Sequence, residues 1–248
     1  MEIYNNNCLQ IMQQMIKQNK KVDCIITSPP YNMNLRVHTG KYMSRWGWKG
    51  NVGAFSTKYE NYRDDLPMQE YFEFQKEFIE KCLQISNLTF YNIQMITGNK
   101  IALFQLLGYF ADKIKEVIIW DKKFGQPAMK YNTLNSQFEF IFVFSNNKPY
   151  NRMFDEANFE RGMETNLWTI KRERNVNHKA AFPKELIRRI LSNFTKENQT
   201  IMDPFMGSGT TGIVCKEMNR NFIGVEMDKE MFEIAKKNLD KEVENFLF

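Results

Sequence analysis

What most constrains the fold of this chain is an alternation of short apolar runs with longer amphipathic stretches. VDCIIT, NIQMIT, EVIIW, FEFIFVFS, TIMD and FIGVEM are rich in Ile, Val and Phe and read as buried strands. Between them, QEYFEFQKEFIEKCLQ, KIALFQLLGYFADKI, PKELIRRILSNFT and TTGIVCKEM carry apolar residues at helical spacing. Strand and helix in turn imply βαβ units, hence an α/β fold with a mostly parallel, doubly wound sheet covered on both faces. With 248 residues and no repeat, low-complexity tract or linker, the expectation is a single domain over 1–248. Two segments interrupt the alternation, at 36–63 and about 146–178, and are expected to be loop insertions.

The most specific ligand signal lies near the C-terminus, in TIMDPFMGSGTTGIVCKEMNRNFIGVEMD. A strand reaches Asp203, turns through Pro204, Phe205, Gly207, Ser208 and Gly209, and enters a helix at about Thr210. The glycines allow close approach of a ligand to the backbone, and Thr210 and Thr211 are candidate helix caps. Glu226 follows Gly207 by nineteen residues, at the end of the next strand, where a carboxylate accepts from both hydroxyls of a ribose. The turn is not GxGxxG. Asp203 at its entrance would repel a phosphate and attract a cation, which suits S-adenosylmethionine, a nucleoside with an ammonium, a sulfonium and no phosphate.

A second signal, TSPPYNM, ends the run VDCII. Pro29 and Pro30 lack N–H groups, and Ser28, preceding a proline, is pushed out of the helical region. An exocyclic amino group held here would donate to the Ser28 hydroxyl and the Pro29 carbonyl while its ring stacks on Tyr31. Those bonds localise the nitrogen lone pair and make the nitrogen a better nucleophile toward a sulfonium methyl.

TSPPY followed by DPFMGSGTT, in that order, resembles the beta group of S-adenosylmethionine-dependent DNA amino-methyltransferases. The resemblance covers nearly the whole chain and implies a Rossmann-like methyltransferase fold, with Ser28, Pro29, Pro30 and Tyr31 as the catalytic tetrad. It extends the cofactor site to Met227, to Asn7 and Cys8 in NNNCLQIMQQM, and to Phe182 and Pro183 in HKAAFPKELIRRIL. QFEFIFVFS resembles a strand beside the target-base pocket. Asn6 and Asn7 depart from the family's Gly-Asp, so the adenine contact would pass through a neutral amide. Serine opening the tetrad is commoner among N4-cytosine members, which favours cytosine N4 over adenine N6.

The two interrupting segments are basic. Residues 36–63 hold Arg36, Lys41, Arg45, Lys49, Lys58 and Arg63 against Glu60, interleaved with Trp46, Trp48 and other aromatics, and four glycines argue against regular structure there. KRERNVNHK adds Lys171, Arg172 and Arg174. Beside a pocket for a flipped base, such segments suit phosphate contacts and base stacking. The net charge of +5 agrees with a polyanionic partner. DNA is therefore the expected partner, and a homodimer and a cognate restriction endonuclease are compatible additions. His38 and His178 have no partner at ligand spacing, so no metal is expected. Four scattered cysteines, no run near the roughly 18 residues of a membrane span and no signal-like N-terminus point to a reduced cytoplasmic protein.

Overall fold

A computed structural model describes residues 1–32, 37–38, 41–42, 66–126, 131–146, 151–155, 157–172 and 182–244. In chain order the elements are β1 (Glu2–Asn5), α1 (Cys8–Lys17), β2 (Cys24–Thr27), β3 (Val37–His38), β4 (Lys41–Tyr42), α2 (Met68–Ile85), β5 (Thr89–Ile93) and α3 (Lys100–Tyr109). They continue with β6 (Ile114–Gln126), β7 (Ser136–Phe144), β8 (Leu167–Thr169), α4 (Lys184–Phe194), β9 (Thr200–Asp203), α5 (Thr210–Glu217), β10 (Asn221–Glu226) and α6 (Lys229–Glu244).

Eight strands form one sheet in the order β1-β10-β9-β2-β5-β7-β6-β8. Among the described residues, only β7 in that sheet runs against its neighbours. From β2 the chain winds one way, through α2 to β5, and from β9 it winds the other way, through α5 to β10. The β2–β9 boundary is therefore the switch point, where open α/β sheets bind ligands at their carboxyl ends.

Strand periodicity sorts the core into two layers. Ile25, Tyr91, Phe142, Met202 and Val225 face α1, α2 and α3, whereas Ile26, Phe90, Val143, Ile201 and Phe222 face α4, α5 and α6. Because both faces are covered, the strands read as continuous apolar runs. Truncating a fully buried member such as Ile25 to Ala is expected to cost about 2–5 kcal/mol.

Several expectations shift. The strand sought in NIQMIT is Thr89–Ile93, bonded to β2 and β7 on its two sides, and the chain leaves the sheet at Gln94. The helix in KIALFQLLGYFADKI stops at Tyr109, and Ile114 already begins β6. The glycine-rich segment after the tetrad contains regular structure, the antiparallel pair β3–β4. The segment at about 146–178 is not wholly an inserted loop, because β8 within it joins the sheet edge and buries Trp168, whose indole N–H donates to the Thr165 carbonyl at 2.7 Å. Arg36, Arg45, Trp46, Trp48, Lys49 and Arg174 lie outside the described residues, and of Lys41 the backbone alone is described.

Candidate active site

The carboxyl ends of β2, β9 and β10 lie side by side. Thr27, the last residue of β2, donates its hydroxyl to Asp203 Oδ1 at 3.1 Å. The same oxygen accepts from the Phe205 amide at 3.1 Å, and Oδ2 accepts from the Thr211 hydroxyl at 2.6 Å. Asp203 is only 2% exposed, and these bonds turn its carboxylate inward, where it shapes the turn. Burial raises its pKa to about 6 against these three hydrogen bonds. Thr211 is thereby committed to Asp203. Neither threonine caps α5, whose N-cap is Gly209.

Gly209 adopts φ +84°, and a Cβ there would stand 3.3 Å from Ala235 Cβ, so glycine is required both for conformation and for close packing of α6. Gly207 adopts φ +52°, and the space its missing Cβ would fill is open. Its amide donates to Glu226 Oε2 at 3.0 Å, while Glu226 Oε1 accepts from the Asp228 amide at 2.8 Å. Each carboxylate oxygen retains a lone pair for a further donor. Burial first, with the Asp228 charge beside it, raises the Glu226 pKa.

Other expected cofactor residues divide by role. Asn7 caps α1, accepting from the Leu9 amide at 2.8 Å, and Cys8 is buried behind it, its thiol pushed up to about 12 by burial. Phe205 packs its ring 5.0 Å from that of Phe78. Pro183 is the N-cap of α4, and Phe182 packs against the layer beneath it. Ser208 is buried and its carbonyl accepts from Asn238. Met227 follows β10, and its carbonyl and that of Glu226 accept from the Asn5 side chain at 3.2 and 2.9 Å. Asn5 was not expected at the site. It belongs to β1, an edge strand too short and exposed to show a periodic pattern.

Beyond β2 the tetrad is held from several directions. The Pro30 carbonyl accepts from Tyr71 Oη at 2.9 Å and Gln75 Nε2 at 3.2 Å, and the Tyr31 carbonyl accepts from Asn99 Nδ2 at 2.9 Å. Asn32, at φ 56°, donates to the Leu66 and Gly98 carbonyls, both at 3.0 Å. These bonds fix the backbone that follows Pro29. The Ser28 hydroxyl donates to Tyr31 Oη at 2.8 Å, and Tyr31 Oη donates to Glu139 Oε2 at 2.9 Å. Burial and the adjacent Glu139 charge hold the Tyr31 phenol well above its ordinary range, so it keeps its proton.

Glu139, Asn92 and Lys122 complete this cluster and were not anticipated. Asn92 Nδ2 donates to both Tyr31 Oη and Glu139 Oε2 at 2.7 Å, and Lys122 Nζ lies 3.1 Å from Glu139 Oε1. The available signal was an acid at a core-facing position of an otherwise apolar strand, QFEFIFVFS. Arg172, expected at DNA, places Nη2 3.2 Å from Glu139 Oε1 with its side chain one-third exposed, while Lys171 is exposed.

A doubly wound sheet with a glycine turn bonded to Glu226 beside the Ser-Pro-Pro-Tyr end of β2 has the architecture of a Rossmann-like methyltransferase. The profile of the N6/N4 methyltransferase family, described as DNA methylase, matches residues 22–237, and the chain belongs to this family. It is 25% identical over 279 residues to the type II methyltransferase M.BglII from Bacillus subtilis, covering 97% of this chain and 69% of that one. Its fold resembles the PvuII DNA methyltransferase, described as cytosine-N4-specific, with TM-score 0.68, 15% identity and coverage of 99% and 92% of the two chains. It also resembles M1.HpyAVI in its S-adenosylmethionine complex, with TM-score 0.63, 23% identity and coverage of 96% and 99%.

The protein is thus a DNA methyltransferase, an enzyme class whose methyl donor is S-adenosylmethionine. The residues present fit that cofactor: the open space at Gly207 lies beside Glu226, whose remaining lone pairs suit ribose hydroxyls. Among the described residues, no helix is long and apolar enough to cross a membrane.

Proposed function

We propose that this enzyme methylates the exocyclic N4 of cytosine in DNA. The observation that carries the amine chemistry is the hydrogen bond from the Ser28 hydroxyl to Tyr31. Having given its one proton to Tyr31, the Ser28 oxygen presents lone pairs, which is what a donating amine requires. The Pro29 carbonyl beside it accepts the second N–H, and together they hold the nitrogen lone pair out of the ring. S-adenosylmethionine supplies an electrophilic methyl group when bound. Glu226 and the Gly207 turn place its nucleoside, and Tyr31 offers a face to the base. The choice of cytosine rests on serine as the first tetrad residue.

The target amine is inaccessible within a duplex, so the base is flipped out or already unpaired. Arg36, Lys41, Arg45, Trp46, Trp48 and Lys49, with Lys171, Arg172 and Arg174, are the proposed DNA contacts, reading phosphates and stacking on bases. A single domain in the cytoplasm, acting as a homodimer beside a cognate restriction endonuclease, completes the reading; M.BglII, a relative along most of its length, carries the type II name.

The test is incubation with labelled S-adenosylmethionine and DNA, RNA or protein, followed by nucleoside and peptide mass analysis. N4-methylcytosine is expected. N6-methyladenine would overturn the base assignment, and label confined to RNA or protein would overturn DNA as the substrate.

A further inference from the structure

We propose that Glu139 is a positioning residue that sets the direction of the hydrogen-bond chain ending at Ser28, and so keeps the Ser28 oxygen an acceptor for the target amine. This rests on the amine-methylation reading above.

Glu139, Lys122 and Asn92 point to one face of the sheet from three adjacent strands, β7, β6 and β5. All three are buried, at 5%, 2% and 3% exposure. Glu139 Oε1 receives Lys122 and Arg172, and Oε2 receives Tyr31 and Asn92. An ionised carboxylate has no proton to offer, so the Tyr31 hydroxyl can only donate to it. The Tyr31 oxygen is then left to accept, and it does so from Asn92 Nδ2 and from the Ser28 hydroxyl. Ser28 has no second proton. A protonated acid or an amide at position 139 could instead donate to Tyr31, freeing Tyr31 to donate to Ser28. The Ser28 proton would then meet the amine donor against donor.

The cations explain how a dry carboxylate stays ionised. Burial alone would raise the Glu139 pKa, but the Lys122 charge and the hydrogen bonds from Asn92, Lys122 and Tyr31 outweigh it and hold the group below the ordinary range. Stability does not account for such an assembly, since a buried ion pair is often matched by well-packed apolar residues of similar volume. Among the described residues it reaches the pocket through Tyr31 and, at the partly exposed end, Arg172.

The experiment compares single-turnover methyl transfer to DNA by the full chain, at saturating S-adenosylmethionine, for wild type, Glu139→Gln, Tyr31→Phe and the double variant. Each single variant is expected to lose about ten-fold in rate, the worth of one well-placed hydrogen bond, with the dissociation constant for S-adenosylmethionine unchanged. The double variant is expected to be no slower than the slower single one. Losses that multiply, or an unchanged rate in Glu139→Gln, would overturn the proposal.

Lys122→Met supplies a readout independent of whether Glu139→Gln folds. Removing the cation raises the Glu139 pKa, so the acid limb of the rate profile should move to higher pH, and an unmoved limb counts against the role. Tyrosine labelled at Cζ provides a test without turnover. The Tyr31 carbon signal should shift on substitution of Glu139 or of Ser28. A signal that ignores Glu139 overturns the chain, whereas a signal that responds to both substitutions, while the wild-type protein methylates no base, supports the chain and overturns the amine reading instead.

Discussion

Thr27 and Asp203, 176 positions apart in sequence, are joined by a 3.1 Å hydrogen bond across the switch point of the sheet. The bond couples the two motifs that define the enzyme, because Thr27 is the residue before the tetrad and Asp203 opens the cofactor turn. It runs through a carboxylate almost sealed from water.

That burial has a pH signature. The Asp203 pKa rises from an ordinary 3.8 to about 6, so the folded protein holds this proton more tightly than the unfolded chain. Its contribution to stability is fully present below about pH 3.8 and is lost as pH rises through about 6. The gap corresponds to about 3 kcal/mol. Urea unfolding of wild type and Asp203→Asn across pH 4 to 8 should show wild type losing about that much relative to the variant as pH rises. A difference independent of pH would mean that the carboxylate is hydrated.

Glu226 makes a prediction about binding. Its two oxygens already accept the Gly207 and Asp228 amides, and an ionised group is needed to accept ribose hydroxyls as well. Replacement by Gln puts an amide N–H against one of these donors, and affinity for S-adenosylmethionine measured calorimetrically should fall about ten-fold or more. In wild type, burial raises the Glu226 pKa above 4.5, so acidification should begin to weaken cofactor binding at a higher pH than for an ordinary glutamate. Affinity flat across that range would remove Glu226 from the ribose contact.

All four cysteines are buried and free, and burial raises each thiol, Cys8 to about 12 and Cys24, Cys82 and Cys215 likewise upward. Little thiolate exists at neutral pH, and what exists is inaccessible. Native protein treated with iodoacetamide at pH 8 should show no alkylated cysteine by mass spectrometry, with all four modified after denaturation. Rapid native labelling of Cys8, the first residue of α1, would show that α1 opens locally.

Much of the frame was legible because it rests on local pattern. The apolar runs VDCIIT, TIMD and FIGVEM become strands at Cys24–Thr27, Thr200–Asp203 and Asn221–Glu226 with little displacement, since each is short, buried on both faces and followed by a turn the sequence announces. The end of β5 was not legible, because LTFYNIQMIT keeps apolar or β-prone residues on both sides of Asn92 and Gln94, and the pairing with β2 and β7 ends at Ile93. β1 was equally hidden, being an exposed edge strand that exists by pairing with β10.

The sequence by itself determined the alternating sheet, the glycine turn with Glu226 at its spacing, and the tetrad, because φ preference, strand periodicity and the donor inventory act over a few residues. The tertiary structure settled that Asp203 bonds to Thr27 and Thr211 and that Glu139 meets Lys122, Asn92, Arg172 and Tyr31. Those contacts depend on which strands become neighbours and on their register, and a carboxylate's role follows from whether its partners arrive with it out of water.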